Sequence, residues 1–293
     1  MQLTLHHGSY TATADTRGGE LVSFRDGAGT EYIWCGDPKY WSGRNPILFP
    51  IVGNLKNGRV RIGGQEYKMA RHGFAQKSEF SVAEQGEDFV VLQLRENPDT
   101  LAQYPFPFLL QVRHQLLEGG FSTTFEVTNT GDTPLPFCIG AHTAFNCPLH
   151  PGEDFRDYRL VFDEAEDADS LAPTAEGLLA PGRVVPLLRG TDTIALEHDL
   201  FDRLDTLVFD GLRSKGVRLL HRDTGCGVRM EFVGFPMIAF WTMPHANAPY
   251  ICLEPWHGCA AWDNESGDFA DKSHCITLQP GARREFHYTV CAL

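Results

Sequence analysis

Much of the usual chemistry of enzymes has no signature in this 293-residue chain: it holds no Cys-x-x-Cys pair, zinc-spaced Cys/His cluster, phosphate loop, G-x-G-x-x-G fingerprint, H-E-x-x-H pair or G-x-S-x-G elbow. No metal or organic cofactor is therefore expected. Basic charge is also scarce: 25 Lys and Arg stand against 38 Asp and Glu, a formal net charge of −13, which repels a phosphate backbone and argues against nucleic acid as a partner. Long apolar runs are missing as well. The stretch from Val233 to Pro244 is broken by Gly234 and Pro236 and is too short to span a bilayer, so no membrane partner is expected. The first residues, MQLTLHHGSY, lack a basic flank followed by an apolar run, so the expected location is the cytoplasm. The eight cysteines show no paired spacing, and several lie in apolar runs such as FCIGAH and YICLEP; they read as small buried thiols.

What the chain does have is alternation. Phe121, Thr123, Phe125 and Val127 alternate with Ser122, Thr124 and Glu126, and Leu110, Val112, His114 and Leu116 alternate with Gln111, Arg113 and Gln115. Val60 and Ile62 alternate with arginines ahead of Gly63-Gly64, a pair suited to the positive φ angles of a two-residue hairpin turn. Val217 and Leu219, then Met230 and Phe232, flank the turn signal Asp223-Thr224-Gly225, and Phe286, Tyr288 and Val290 repeat the pattern near the end. With 29 Gly and 18 Pro there is little room for long helices. The fold class is all-β, a sandwich or barrel of many antiparallel strands, and no linker divides it, so residues 1–293 are expected to form one domain.

Charge is uneven along the chain. From Glu153 to Asp169 eight acids face two arginines in a segment of little periodicity, expected to be a solvated loop or strand face. From Arg44 to Arg71 six basic residues face only Glu66. Polar residues also sit where apolar runs should exclude them. Glu254 lies within Tyr250-Ile251-Cys252-Leu253-Glu254-Pro255-Trp256, where a carboxylate must be paired, hydrogen-bonded or protonated. His142 is hemmed in by Ile139-Gly140-Ala141 and Thr143-Ala144-Phe145, and His72 stands between Arg71 and Gly73-Phe74. Each alone reads as a satisfied buried polar group; together they are consistent with a carboxylate and two imidazoles converging on one pocket, which spacing alone does not show.

Five runs in order resemble the aldose 1-epimerase (galactose mutarotase-like) superfamily, closest to its bacterial LacX-like branch. They are Arg44-Asn45-Pro46-Ile47-Leu48-Phe49-Pro50-Ile51-Val52-Gly53, Arg71-His72-Gly73-Phe74, Tyr104-Pro105-Phe106, Gly140-Ala141-His142 through Phe145-Asn146, and Leu253-Glu254-Pro255-Trp256. The resemblance implies a β-supersandwich with few short helices and a sugar site on the concave face of a large sheet. It implies an isomerase that interconverts the α and β anomers of a hexose without a cofactor, working as a monomer or homodimer on a small-molecule sugar. Glu254 is then the base at the C1 hydroxyl, with His142 and His72 the imidazoles at the ring oxygen. Asp205 is expected to hold sugar hydroxyls, with Asp202 and Asp210 as nearby alternatives. Asn54 stands where many relatives carry a substrate-binding arginine, and Arg44 looks like the arginine of the phosphosugar branch. Thr143 replaces a common proline and is expected to alter the turn more than the chemistry. Of Trp41, Phe74, Trp241 and Trp256, Phe74 and Trp256 are the first expected to touch a sugar. The alternatives are a hexose-6-phosphate 1-epimerase, a non-catalytic sugar-binding protein on the same fold, and a polysaccharide-directed sandwich.

Overall fold

Alternation becomes sheet. The computed structural model describes all 293 residues, Met1–Leu293, and places them in 22 strands with only two short α-helices, Pro98–Leu101 and His198–Leu204. No helix is long and apolar enough to cross a membrane. The Gly63-Gly64 pair closes a hairpin of Arg59–Ile62 on Gln65–Lys68, with φ of 57° and 81° at the two glycines. Phe108–Leu117 and Gly120–Asn129 form a second hairpin whose inward-facing residues are buried along the whole length of both strands.

Fifteen strands make one large antiparallel sheet. From one end it runs Ile47–Leu48, Ile139–Ala141, Tyr250–His257, Met237–Trp241, Thr206–Asp210 and Tyr158–Leu171, and it continues through Gly216–His221 and the long hairpins to the edge strand Ser81–Gln85. A cluster of 61 buried apolar residues, drawn from Leu5 through Val290, packs one face of it. Ile251, Leu253, Phe240, Ile238, Leu207 and Phe209 all belong to that cluster. Their sequence neighbours point the other way, as the two-residue period of a strand requires. Val208, Met237, Ala239 and Trp256 form a second, smaller cluster on that opposite face, and Tyr250 and Cys252 a third. Tyr250–His257 is thus covered on both sides, which explains an almost unbroken apolar run instead of alternation.

The acidic segment is better ordered than its sequence suggests. Most of it is the strand Tyr158–Leu171, whose pairing with Val184–Ala195 shifts register three times. These irregularities scramble the two-residue period and hide the strand from a pattern reading. Glu166 is even buried, accepting the backbone N–H of Ser214 at 2.7 Å. All eight cysteines are free thiols, but only Cys138, Cys147, Cys252 and Cys259 are buried; Cys35 is exposed.

His114 is an internal tie in the long hairpin. Its Nε2 lies 2.8 Å from the Gly19 carbonyl and must donate to it, so Nδ1 accepts from the Thr123 hydroxyl at 2.9 Å. Burial pushes this imidazole down to about 4. Between the ordinary imidazole value and that figure the unfolded chain binds a proton that the native ring refuses. The stability contribution is therefore present above about pH 6.5 and is lost as pH falls toward 4, up to about 3 kcal/mol. Urea midpoints taken at about pH 7 and about pH 4.5 should show wild type losing more stability than His114→Gln, which keeps a donor for Gly19; equal losses would refute the assignment.

Candidate active site

The large sheet brings Glu254 and His142 together through register. Gly140 pairs with Trp256, and Thr143 pairs with Leu253, so the intervening His142 stands directly across from Glu254. Both side chains then project from the same face, and His142 Nε2 lies 3.3 Å from Glu254 Oε2. Glu254 is only 1% exposed. Burial drives its carboxyl well above the usual range; Arg71 and the indole of Trp256 oppose that shift. The indole N–H faces the carboxylate without reaching full hydrogen-bond geometry, and Glu254 Oε2 and Trp256 Nε1 are both left without a complete partner. Burial also pushes His142 down to about 3, with Arg71 adding to the effect. Both shifts favour an uncharged pair that holds one shared proton.

His72 arrives from a different part of the chain. Its loop is stapled to the Phe49–Gly53 run: His72 N donates to Gly53 O at 3.0 Å, and Phe74 N donates to Phe49 O at 3.0 Å. This explains why those two sequence runs belong together. At Gly73, φ is 75° and a Cβ would lie 2.2 Å from Phe49 O, so only glycine permits the approach. His72 itself adopts φ 65°. Gly53 N donates to His72 Nδ1 at 3.1 Å, and Arg71 Nε faces the other ring nitrogen, Nε2, at 3.1 Å. The His72 and His142 rings are 5.6 Å apart, edge to face, and burial holds His72 well below the ordinary imidazole value.

Two connected lobes flank these imidazoles. A cleft of about 460 Å3 is lined by His72, His142, Arg71, Trp41 and Trp241, among others. A narrower lobe of about 50 Å3 shares Arg71 and His72 and adds Asn54, Asp205, Thr206 and Trp256. The structure thus gathers Glu254, His142, His72, Asp205, Asn54 and Trp256. Glu254 lines neither lobe; it lies behind His142 and Trp256, each of which walls one of them. Of the three nearby aspartates, Asp205 faces the cavity, whereas Asp202 accepts from His245 N and Asp210 pairs with His274. The Asn54 amide donates to Glu176 O at 3.1 Å and so fastens the rim of the narrow lobe.

Two expected contacts are not made. Arg44 turns away, donating to the Cys35 carbonyl at 2.8 Å in a separate cleft beside the N-terminal strands. Its backbone carbonyl is held by Ala144 N, which fixes its main chain beside the site while the side chain leaves it. Phe74 is core, packed against Phe49, Tyr104 and Phe108 with ring centroids about 6 Å apart. The aromatic wall is instead Trp41, 4.9 Å from the His142 ring, and Trp241 at 5.6 Å. Arg71, which stands beside His72 in the sequence, also lines both lobes.

Thr143 does more than shape a turn. Its hydroxyl donates to Asn45 Oδ1 at 2.8 Å, and Asn45 in turn donates to the Tyr288 hydroxyl at 3.2 Å. Asn45 N donates to Glu20 at 2.7 Å. This buried network pins the strand that presents His142 from its core side. The donor atoms of His142, Cys252 and Glu254 lie within 4.8 Å of one another and could hold a soft divalent cation. Their arrangement is equally that of a proton-sharing pair beside a neutral thiol.

A cleft beside the sheet, walled by indoles and backed by a buried carboxyl–imidazole pair, has the form of a small-molecule site. Comparison with known proteins gives the family. The aldose 1-epimerase family model matches residues 1–291, and the chain belongs to that family. It is 36% identical over 287 residues to the plasmid-encoded protein LacX of Lactococcus lactis subsp. lactis, covering 96% of this chain and 95% of that protein. A galactose mutarotase related enzyme from Lactobacillus acidophilus superposes with a TM-score of 0.94 at 28% identity, over 100% of this chain and 97% of its own. A galactose mutarotase-like protein from Lactobacillus casei gives 0.93 at 28% identity, with 100% of both chains covered. The sequence-based family and fold expectations are thereby met.

Asp205 combines exposure to the cavity with a backbone at φ 62°, ψ −72°, a region costly for any residue but glycine. Asp205→Gly should raise the urea midpoint by about 1 kcal/mol equivalent while weakening sugar binding. Calorimetric titration with galactose, run beside the melt, checks both halves; an unchanged affinity would remove Asp205 from the site.

Proposed function

We propose that this protein is an aldose 1-epimerase that interconverts the α and β anomers of a hexose. The observation that carries the reading is the buried Glu254–His142 pair, whose Oε2 and Nε2 atoms lie 3.3 Å apart behind the wall of a cleft of about 460 Å3. Anomer exchange needs a base at the C1 hydroxyl and an acid at the ring oxygen. The pair's single proton first passes from Glu254 to His142; Glu254 then takes the hydroxyl proton as the C1 carbonyl forms, while the His142 imidazolium protonates the ring oxygen and the C–O bond breaks. The pair is left as carboxylic acid and neutral imidazole, the uncharged form that burial favours. The aldehyde then turns its other face and the same proton movements reverse. His72, whose ring stands 5.6 Å from that of His142, is the second imidazole near the ring oxygen. Asp205 and Asn54 hold hydroxyls, and Trp41, Trp241 and Trp256 offer faces to the sugar's C–H surface.

Sealing of Glu254 means that a bound sugar must part the His142 contact to reach the carboxylate. This one observation favours the rival reading of a sugar-binding protein without turnover. Exchange NMR on freshly dissolved α-glucose and α-galactose separates the two. Wild type should exceed buffer exchange clearly, and Glu254→Gln should fall by about 100- to 10,000-fold. Binding with no exchange above buffer on either sugar would sink the epimerase reading in favour of the binder.

The charge state of the site also sets a pH profile. With His142 pushed down to about 3 and His72 held low by burial, protonation of neither imidazole enters near the ordinary value. The pair loses its single proton where the raised carboxyl of Glu254 titrates, above the ordinary carboxyl range. The kcat/KM for anomer exchange should therefore show no acid limb of imidazole origin between about pH 5 and about pH 7. An acid limb centred near 6.5 would contradict neutral, buried imidazoles.

A further inference from the structure

Three of the eight free thiols meet beside the narrow lobe. Cys138 and Cys259 belong to the small apolar cluster that contains Trp256, and Cys275 packs against it. Two of the three are brought together by register. Leu135–Phe137 pairs antiparallel with Ile276–Leu278, and Phe137 stands opposite Ile276. One step beyond that ladder, Cys138 stands opposite Cys275. Neither gives its backbone N–H to the other: Cys138 N donates to Pro50 O at 2.7 Å, and Cys275 N donates to Lys272 O at 3.0 Å. Antiparallel partners that exchange no backbone hydrogen bonds have the closest side chains, with Cα atoms about 4.5 Å apart, a separation that a disulfide can span. The two thiols are in contact.

Anchors on both sides hold this pair in place. Beyond Cys138, Ile139 pairs with His257, whose Nδ1 donates to the His274 carbonyl at 2.8 Å and so ties the residue before Cys275 to the sheet. At Gly258 a Cβ would lie 2.5 Å from Cys138 Cβ, so the glycine leaves Cys138 its space. The two sulfurs differ in access, for Cys138 is buried and Cys275 is half-buried. Contact with the Cys275 thiol and burial hold the Cys138 thiol well above its ordinary range, and the Lys272 ammonium opposes them. Lys272 Nζ is itself buried, 3.5 Å from Glu265, and is the local charge that favours a thiolate at Cys138. The third thiol, Cys259, meets the Ser273 hydroxyl instead.

We propose that Cys138 and Cys275 are a redox modification site that closes to a reversible disulfide on reaction with a low-molecular-weight disulfide. The Cys275 thiolate attacks that disulfide, one small thiol leaves, and a mixed disulfide remains on Cys275. The Cys138 thiolate then attacks the Cys275 sulfur, the Cys138–Cys275 bond forms, and the second small thiol leaves. The protein gives up two electrons and two protons, and the small disulfide takes both. Neither step depends on the epimerase reading. Wild type, Cys138→Ala and Cys275→Ser should be equilibrated with oxidised glutathione, alkylated and mapped by non-reducing peptide mass spectrometry. Wild type is expected to yield one peptide pair joining Cys138 to Cys275, and Cys138→Ala to hold glutathione on Cys275 instead. The bond closes a loop of nearly half the chain, so oxidation should raise the wild-type urea midpoint by about 1 M, a shift that dithiothreitol reverses and Cys275→Ser abolishes. Cys275 is half-buried, so its serine variant keeps the fold, and the wild-type map needs no variant at all. Oxidised wild type without that peptide pair, a bridge from either cysteine to Cys259 in its place, or a midpoint shift that persists in Cys275→Ser overturns the site.

Discussion

An ionisable carboxyl in the middle of a strand covered on both faces is the constraint around which the rest of this structure is arranged. Glu254 is nearly sealed from water, and an unpaired carboxylate in that position would cost several kcal/mol. Protonation relieves that cost, and so does a partner presented at the same height on the adjacent strand. His142 is that partner, and it is delivered by pairing register. The buried network of Thr143, Asn45, Tyr288 and Glu20 then holds the partner's strand from behind. One side of the sheet thereby supports the polar pair presented on the other.

The same constraint accounts for the site's electrostatics. Burial raises Glu254 and depresses His142 and His72, so the groups lose their charges in opposite senses and one proton suffices for the pair. Arg71 is the cation that acts on all three, favouring the ionised carboxylate while disfavouring both imidazolium ions. A ligand that draws Arg71 aside would therefore alter the balance at Glu254 and at the imidazoles together.

Two of the six non-glycine residues at positive φ lie at the same place. His72 and Asp205 both adopt positive φ, and both line the narrow lobe. Non-glycine residues persist in such conformations when surrounding contacts fix them. At His72 the fixing contacts are the hydrogen bonds to Gly53 and the close passage of Gly73 over Phe49. The strained loop is thus tied to the same sheet end that carries His142, since Leu48 pairs with Gly140.

The sequence by itself determined the strand-rich class, the Gly63-Gly64 hairpin, the long hairpins with their inward faces, and the identity of the polar residues trapped in apolar runs. These follow from two-residue periodicity and the cost of burying charge, which are local properties legible in any window of the chain. It left hidden the irregular strand Tyr158–Leu171, because bulges erase the period on which the reading depends. Side-chain direction around the site was also out of reach. Arg44 and Phe74 lie in the right runs, yet one side chain crosses to another cleft and the other enters the core, while Trp41, Trp241 and Arg71 face the cavity. Only the tertiary structure decided these, because the direction of a loop side chain depends on which distant backbone its own main chain is bonded to. Short-range spacing carries no record of that partner.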